Sequence, residues 1–474
     1  MSPCCRFLQR ITGLGITCVL GLAAASSARE ATDPLWPRPP QAIEAVVAEA
    51  LDANLSLAEG TADVDRAAAR LAAARSHYYP RIDLVARYSR ADGGRTIDFP
   101  AGDLLNPVYR TLNDLTGSAA FPEIENVSIA FLRSREQETK LRLIQSLYRP
   151  EIADGADAAR AQLDAAQARF AALRRDIRQQ TQEALFAHQQ ETASVRIYQA
   201  ALQLVEESLR VNRALRAEEK VTPDVVLRAE AEAALVREQL AGARRDETLS
   251  AAYINVLLDR PLGTPIEMCD PQELERYRAR LLEPDLFAGS LSAAGREELA
   301  ALESALAAAN SAAKAAGTRR RPTVSLAVEA GTQGEDYRLG TGTNFAEGSL
   351  VAEWNIFDGR ERNAGVAEAR AVERAVAAQV RAVRNQFAFQ LEQAREDFRV
   401  AAFSLEAATQ RVTSARAAYA VVSAREREGA APQIVVLDAR TTLTDAEIGA
   451  EIAGFRLFTA AARIDRAAAI LPLP

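Results

Sequence analysis

Apolar side chains recur every seven residues along two stretches of the chain, and this spacing predicts two unusually long helices. The first stretch covers residues 151–218, and the second is the proline-free stretch that follows Gly359. Heptad spacing is typical of coiled coils, and at about 1.5 Å per residue the first helix would reach about 100 Å. The seam positions are Leu163, Phe170, Ile177, Val195, Leu202 and Leu209 in the first stretch and Leu391, Phe398, Leu405, Val412 and Tyr419 in the second. Each long helix is followed by a break and then by a shorter seam, so we predict two antiparallel helical hairpins.

Alternation of apolar and polar residues predicts four strands. They start near Arg81, Leu141, Pro322 and Leu350, and the last one is expected to end at Phe357. On the strand from Arg81, one side carries Ile82, Leu84, Ala86 and Tyr88 and the other carries Asp83, Arg87 and Ser89. The long loop 91–137 has room for a further strand around Val127 to Phe131. In a soluble sheet this alternation separates core from water, and in an outer-membrane barrel it separates lipid from lumen.

The two halves of the chain repeat each other with an offset of 210 residues. The tip sequence from Val435 to Ala439 corresponds to the one from Val225 to Ala229, and Gly365 corresponds to Gly155. A fixed offset over many positions is hard to obtain by chance. The repeated unit consists of a helix, two strands, a long helix, a break and a returning helix, with the opening helices predicted over 41–76 and 295–317. The fold class is therefore α+β, mainly α, and internally duplicated.

The chain is predicted to divide into a signal sequence, two repeats and a connector. Residues 1–28 have a positive start, an apolar core and a small-residue cleavage site, which are the marks of a secretion signal. The first repeat then spans 29–258, an irregular, proline-containing connector spans 259–294, and the second repeat spans 295–474. Cys4, Cys5 and Cys18 lie in the signal, so only Cys269 remains and no disulfide can form within one chain.

Charge and composition exclude several classes of function. The net charge is −7, and it becomes −9 when Arg6 and Arg10 leave with the signal, which argues against a nucleic-acid partner. Beyond the signal, no stretch approaches the ~20 apolar residues of a spanning helix. If the protein crosses a membrane, it does so with strands.

The sequence contains no pattern that indicates an enzyme. The only histidines are His77 and His188, and His188 aligns with a seam position, where it is expected to pack rather than to react. No nucleotide loop, zinc-ligand spacing or nucleophile elbow is present in the sequence. We therefore predict no catalytic residue, no cofactor and no metal site.

Aromatic residues gather at the helix-proximal ends of the predicted strands. They are Tyr78, Tyr79, Tyr148, Trp354 and Phe357. This arrangement is similar to the aromatic girdle at a membrane interface, although aromatic residues at strand ends are also common in soluble proteins. Four strands cannot close a barrel. Closure needs several chains, and three would supply twelve strands, so membrane strands would require a homo-oligomer.

These features together resemble the TolC-type outer-membrane efflux family. The resemblance rests on the strand starts at Pro80 and Pro322, the strand-to-helix turns at Pro150 and Gly359, and the two hairpin tips, and it covers nearly all of the chain after the signal. It implies a homotrimer with a twelve-stranded β-barrel in the outer-membrane lipid and an α-barrel tunnel that places most of the mass in the periplasm. It also implies passive conduction in a tripartite efflux or type I secretion system. A periplasmic adaptor protein and an inner-membrane pump or secretion ATPase would then be the partners.

The resemblance further implies that the tips at 216–224 and 426–434 form the periplasmic gate and contact the adaptor. The candidate residues are Glu219, Thr222, Pro223, Asp224, Gly429, Pro432, Val435 and Asp438. Family tips often carry two inward acidic residues. Here Val435 stands at the earlier position and only Asp438 is kept, and Glu219 replaces the usual glycine of the first tip. We expect a single acidic ring at Asp438, against the alternative that Asp438 is a solvated surface residue.

A periplasmic coiled-coil adaptor or scaffold without a channel is the alternative function. An adaptor should carry the short β segments of a lipoyl-like domain on either side of one hairpin, and the sequence contains no such segments. The duplicated strand pair with lipid-suited faces favours the channel.

Overall fold

The structure is a computed structural model that describes residues 36–284, 286, 291–338, 340–428 and 430–473. The predicted signal sequence, with its three cysteines, and the tip residue Gly429 lie outside the described residues. Within the described part most residues are helical and the strands form two small sheets, which confirms the mainly helical α+β class.

The described residues form nine α-helices, one short 3-10 helix (Ala293–Gly295) and six strands. In chain order they are α1 (Gln41–Ala53), α2 (Leu55–Ser76), β1 (Arg81–Arg90), β2 (Thr96–Phe99), α3 (Ala101–Thr116), β3 (Val127–Ala130), β4 (Arg135–Tyr148), α4 (Pro150–Ala217), α5 (Pro223–Leu257), α6 (Pro271–Leu281), α7 (Glu297–Thr318), β5 (Thr323–Gly334), β6 (Asn344–Glu353), α8 (Glu361–Arg427) and α9 (Gln433–Ala468). Helices α4 and α5 form one hairpin, and helices α8 and α9 form the other.

The main sheet is antiparallel and its strand order is β1-β4-β5-β6. Its register aligns the apolar sides of all four strands. Leu84 lies opposite Leu141, Leu143 opposite Val328, and Leu326 opposite Leu350. The predicted faces of the strands from Arg81 and Pro322 are therefore confirmed, because cross-strand partners share one face of a sheet.

The opposite face of this sheet is lined by a ladder of charges. Lys140 contacts Glu138 at 2.8 Å and Glu329 at 2.7 Å. Arg142 also contacts Glu329 at 2.7 Å, and Arg87 contacts Glu138 at 3.3 Å. The ladder crosses three neighbouring strands. One face of the sheet is thus apolar and the other is charged.

The predicted seams hold the hairpins together. In α8, Leu391, Phe398 and Leu405 are buried, and in α4 Ile177 and Val195 are buried. The bounds of α4 and α8 agree with the predicted long helices to within a few residues. Heptad spacing therefore located these helices correctly.

Two predicted elements end elsewhere than the sequence suggested. The last strand was predicted over Leu350 to Phe357, but β6 runs from Asn344 and ends at Glu353. There the Trp354 indole Nε1–H donates to the Arg320 carbonyl at 3.1 Å, which turns the chain out of the sheet. The predicted helix over 41–76 is broken at Asn54, whose side chain caps α2 by accepting from Ser56 N.

The connector and the first loop contain helices that the sequence analysis did not predict. The connector 259–294 was expected to be irregular, but α6 lies within it, begun by Pro271 and capped by Asp270. Leu274, Tyr277 and Leu281 of α6 are buried, and the Tyr277 ring stacks 5.4 Å from Phe458 of α9. In the loop 91–137, the suggested strand near Val127 is confirmed as β3, while β2 and α3 are additions. The proposed domain boundaries remain a prediction.

A buried cluster of charges ties the second repeat to the first near the C-terminal end of α9. Arg466 contacts Asp176 of α4 at 2.6 Å and Glu298 of α7 at 2.5 Å. Arg175 contacts Glu297 at 2.6 Å and donates to the Leu471 carbonyl at 2.7 Å. Burial alone would raise the pKa of Glu298, but hydrogen bonds from Arg296 and Arg466 lower it to about 2.

In the described part of the chain, no helix combines the length and the apolar character that a membrane span requires.

Replacement of Gly331 by alanine is expected to disturb the sheet. A Cβ at this position would lie 2.3 Å from the Thr139 carbonyl oxygen and 2.6 Å from Lys140 Cα, so β4 and β5 would have to separate. Overpacking of this kind costs about 1–3 kcal/mol. Thermal unfolding of the purified protein should show a lower midpoint for Gly331→Ala. Gly348→Ala on β6 is the matched control, since a Cβ there meets nothing within 4 Å, and equal midpoints for the two variants would contradict the argument.

Replacement of Glu298 by glutamine is expected to destabilise the protein in a pH-dependent way. Because the folded pKa is depressed to about 2, the carboxylate contributes stability above its ordinary pKa near 4.5 and loses it as the pH falls toward 2. The variant should be less stable by about 1–2 kcal/mol at pH 7, allowing for solvent screening of a half-buried group. Denaturant unfolding at pH 7 and at pH 3 measures the difference. Glu303→Gln is the control on the same helix, since the Glu303–Arg384 pair is exposed, and a Glu298→Gln deficit that does not shrink at pH 3 would count against the assignment.

Candidate functional site

The first hairpin tip is a tight helix-ending turn built around Glu219. Glu219 has a φ of +57°, a left-handed conformation that favours glycine. The Lys220 N–H donates to the Leu215 carbonyl at 2.9 Å and the Glu219 N–H to the Arg216 carbonyl at 2.9 Å, as in a Schellman turn. Glutamate therefore occupies the place that the sequence analysis assigned to the usual glycine.

The described part of the second tip repeats two hydrogen bonds of the first tip at an offset of 210 residues. The Ala430 N–H donates to the Arg425 carbonyl at 2.8 Å, which matches the bond from Lys220 to Leu215. The Val435 N–H donates to the Pro432 carbonyl at 3.0 Å, as the Val225 N–H does to Thr222 at 3.2 Å. The duplication seen in the sequence thus extends to individual hydrogen bonds.

A proline stands at the start of both returning helices, and both prolines are exposed. Pro223 is the first residue of α5 and Pro432 is the N-cap of α9. Thr222 is the N-cap of α5, but its hydroxyl makes no capping hydrogen bond. Asp224 is exposed in the first turn of α5, where the helix dipole favours a carboxylate. The acid of the first tip therefore faces solvent within one chain.

Asp438 lies on a groove of about 380 Å³ between α5 and α9. Arg228, which also lines the groove, is the repeat equivalent of Asp438. Thr441 donates across the groove from Oγ1 to Glu232 Oε1 at 3.4 Å. Val435, by contrast, is exposed and does not line the groove. The groove lining is mixed, since Ala231, Leu235, Ile434 and Leu437 also face it, and the bond from Thr441 to Glu232 joins the two hairpins.

Arg228 and Glu232 were missed as candidate residues. The repeat itself could have found Arg228, because the 210-residue offset pairs it with Asp438, whereas Glu232 pairs with Thr442, which is not a candidate. A residue becomes a candidate when its equivalent in the other repeat is one. The groove is then lined by Arg228 and Glu232 of the first repeat and by Asp438 of the second.

The five residues of the predicted aromatic girdle lie at the helix-proximal end of the main sheet. Tyr78 and Tyr79 precede β1, Tyr148 ends β4, and Trp354 and Phe357 follow β6. All five side chains are exposed, up to 83% for Phe357. The structure therefore brings them to one level of the molecule, while their role as a membrane girdle remains a prediction.

His188 is a packed side chain, as expected from its seam position. It is buried, and its Nδ1 lies 2.9 Å from the Ser250 hydroxyl. Burial lowers the pKa of His188, opposed by the nearby Glu247. Among the described residues, no cluster of His, Cys, Asp and Glu side chains is arranged to hold a metal ion.

Comparison with known proteins finds outer-membrane channels. Residues 289–468 match the family model of the outer membrane efflux proteins. The fold is similar to that of the CmeC outer membrane channel of Campylobacter jejuni, with a TM-score of 0.72, 14% identity, and coverage of 90% of this chain and 85% of that one. It is also similar to the outer membrane protein VceC of Vibrio cholerae, with a TM-score of 0.70, 18% identity, and coverage of 90% and 95%. The MtrE outer membrane channel of Neisseria gonorrhoeae, in its open state, gives a TM-score of 0.71 at 17% identity, with coverage of 90% and 88%.

No curated protein sequence matches the chain. The second repeat therefore carries the sequence pattern of the outer membrane efflux proteins, and nine-tenths of the chain has the fold of outer-membrane channels. The resemblance inferred from the sequence is confirmed.

Replacement of Glu219 by glycine is expected to stabilise the first tip. A non-glycine residue in the left-handed region costs about 1 kcal/mol relative to glycine, and the two turn hydrogen bonds are kept. Hydrogen exchange at the amides of residues 215–222 should slow about fivefold, which corresponds to about 1 kcal/mol. Lys220→Gly is the matched control, because Lys220 has no positive φ. Faster exchange in Glu219→Gly than in the parent protein would contradict this account of the turn.

Proposed function

We propose that the protein is a trimeric outer-membrane channel-tunnel, the exit duct of a tripartite efflux or type I secretion system. The observation that carries the proposal is the division of the main sheet into an apolar face and a charged face. An apolar face suits lipid, and the ladder around Lys140 and Glu329 suits a water-filled lumen. The family match of the second repeat supports the same conclusion.

The edges of the main sheet support a trimer. Strands β1 and β6 are the outer strands of the order β1-β4-β5-β6, so each has a single neighbour within the chain. Open edges cannot remain in a lipid environment, where every backbone N–H and C=O needs a partner. Pairing of β1 with β6 of the next chain satisfies both edges, and three chains then give a closed barrel of twelve strands.

The aromatic girdle residues and the helices support one orientation of this trimer. Trp354 and Phe357 lie at the end of the sheet where the long helices begin, and aromatic side chains prefer membrane–water interfaces. The helices α4 and α8 then extend away from the membrane into the periplasm. The tips are the far ends of the molecule, where an adaptor protein and an inner-membrane pump or secretion ATPase would connect.

Gating at the tips is part of the proposal. Asp438 and Arg228 line the groove where the two hairpins meet, and three copies of each would surround the entrance. Movement of the tips would open the duct, and no chemical step is required of the chain itself. Transport energy would come from the inner-membrane partner.

Planar-bilayer conductance of the detergent-purified protein, with the mass determined on the same sample, tests this function. We expect a trimer with a small conductance that rises in Asp438→Ala, because the charged constriction is weakened. Glu238→Ala, which removes an exposed acid from α5 farther from the tip, should leave the conductance unchanged. Arg228→Ala should increase the preference for cations, since it removes the positive group of the groove.

Each alternative outcome has a definite meaning. A trimer that conducts equally with and without the Asp438 carboxylate would support the channel but would show that Asp438 is not part of the gate. A monomer that gives no conductance would overturn the proposed channel and favour the periplasmic scaffold.

A further inference from the structure

A small subdomain of residues 91–134 stands at the end of the main sheet opposite the long helices. It continues the ribbon formed by β1 and β4, since the Ala91 N–H donates to the Ser134 carbonyl at 3.2 Å and the Phe131 N–H to the Arg95 carbonyl at 2.9 Å. Strands β2 and β3 pair next along this ribbon, and α3 lies between them in sequence. The proposed conduction pathway assigns no role to this subdomain.

Helix α3 is held to the subdomain by its asparagine side. Asn106 exchanges two hydrogen bonds with the backbone of Ile124, both 2.9 Å long. Asn113 exchanges two with the backbone of Phe121, of 2.8 and 3.0 Å. Gly102 lies so close that a Cβ would be 2.4 Å from the Ile124 carbonyl oxygen. The orientation of α3 is therefore fixed by its polar face.

The remaining face of α3 is apolar and uncovered within the chain. Leu104, Val108 and Leu115 are 63%, 52% and 78% exposed. Leu105, Val108, Leu112 and Leu115 are spaced by three, four and three residues, which is the seam spacing of a coiled coil. On a helix of 3.6 residues per turn, this seam lies roughly a third of a turn away from the asparagine side. Leu105, Val108 and Leu115 of this seam are exposed and Leu112 is half-buried, and an apolar patch of this kind marks an interaction site.

Charge argues against a membrane surface as that partner. Helices that lie on membranes carry lysine and arginine on the polar face. The only basic residue of α3 is Arg110, and it contacts Glu123 at 3.3 Å. Residues 91–134 contain six acidic and three basic side chains, so the subdomain as a whole is acidic.

The position of the subdomain points to other copies of the chain. It grows from β1, an outer strand of the main sheet, and in the proposed trimer this edge faces the next chain. Three subdomains then stand around one axis at the same height. We propose that the α3 seams of neighbouring copies pack against each other and form a helical cap over the distal mouth of the barrel. This inference rests on the proposed trimer and adds a second constriction at the end opposite the tips.

Disulfide cross-linking of the full-length trimer tests the cap. Val108→Cys places a thiol in the seam, whereas Asp114→Cys places one about a third of a turn away from Val108, outside the seam, and is the matched control. The parent protein reports any background from Cys269, which is buried. On oxidation, Val108→Cys should give covalent dimers several-fold more efficiently than Asp114→Cys. Because each cysteine can form only one disulfide, one of the three chains in each trimer must remain uncrosslinked.

Conductance of the same samples supplies an independent readout. Oxidised Val108→Cys should conduct less than the reduced protein, because the disulfide locks the cap, and Asp114→Cys should be insensitive to reduction. A conducting trimer in which Val108→Cys cross-links no better than Asp114→Cys would overturn the cap and leave the proposed channel intact. Quenching of a fluorophore on Val108→Cys by brominated lipid would overturn the cap and assign the seam to the membrane. A monomer without conductance would overturn both proposals.

Discussion

The edges of one four-stranded sheet constrain the whole architecture. Its apolar face, aligned by the pairing of Leu143 with Val328 and of Leu326 with Leu350, cannot be covered by the helices of the same chain, because they extend from one end of the sheet. In lipid such a face is stable, but an open edge is not, because its backbone groups would lack partners. The need for a closed ring of several chains follows from this conflict, and the arrangement of the helices around an axis follows from that ring.

The duplication gives the two hairpins one backbone and different charges. The turn bonds from Lys220 to Leu215 and from Ala430 to Arg425 are equivalent at the 210-residue offset. On this common frame, Arg228 of the first repeat and Asp438 of the second line the same groove. In the proposed trimer, this one position would alternate between arginine and aspartate around the ring of six hairpins, which allows neighbouring tips to attract one another when they are closed.

Local patterns predicted the long elements, and contacts distant in sequence decided what the patterns missed. The seams through Leu391 and Ile177 and the prolines at the tips are local, so α4, α8 and both turns could be predicted. The end of β6 depends on the bond from Trp354 to the Arg320 carbonyl, which joins residues 34 positions apart. Helix α6 was hidden by the prolines of the connector, although Asp270 and Pro271 are themselves a helix-start signal. Helix α3 was missed because a leucine seam inside a glycine- and proline-rich loop has no core to face.

The distribution of packing explains why movement is expected at the tips rather than along the whole tunnel. Near the middle of the molecule, the aromatic core of Phe186, Phe458 and Tyr277 lies beside the charge cluster of Arg466 and Glu298. Toward the first tip, the buried cluster consists of small and aliphatic side chains: Ala201, Val205, Leu209, Ala229, Ala233 and Val236. Separation of alanine-rich surfaces exposes little apolar area per residue and therefore costs less than separation of aromatic ones. Opening should then begin at the tips and stop at the aromatic core. The entrance can therefore widen while the sheet and its aromatic girdle remain in place.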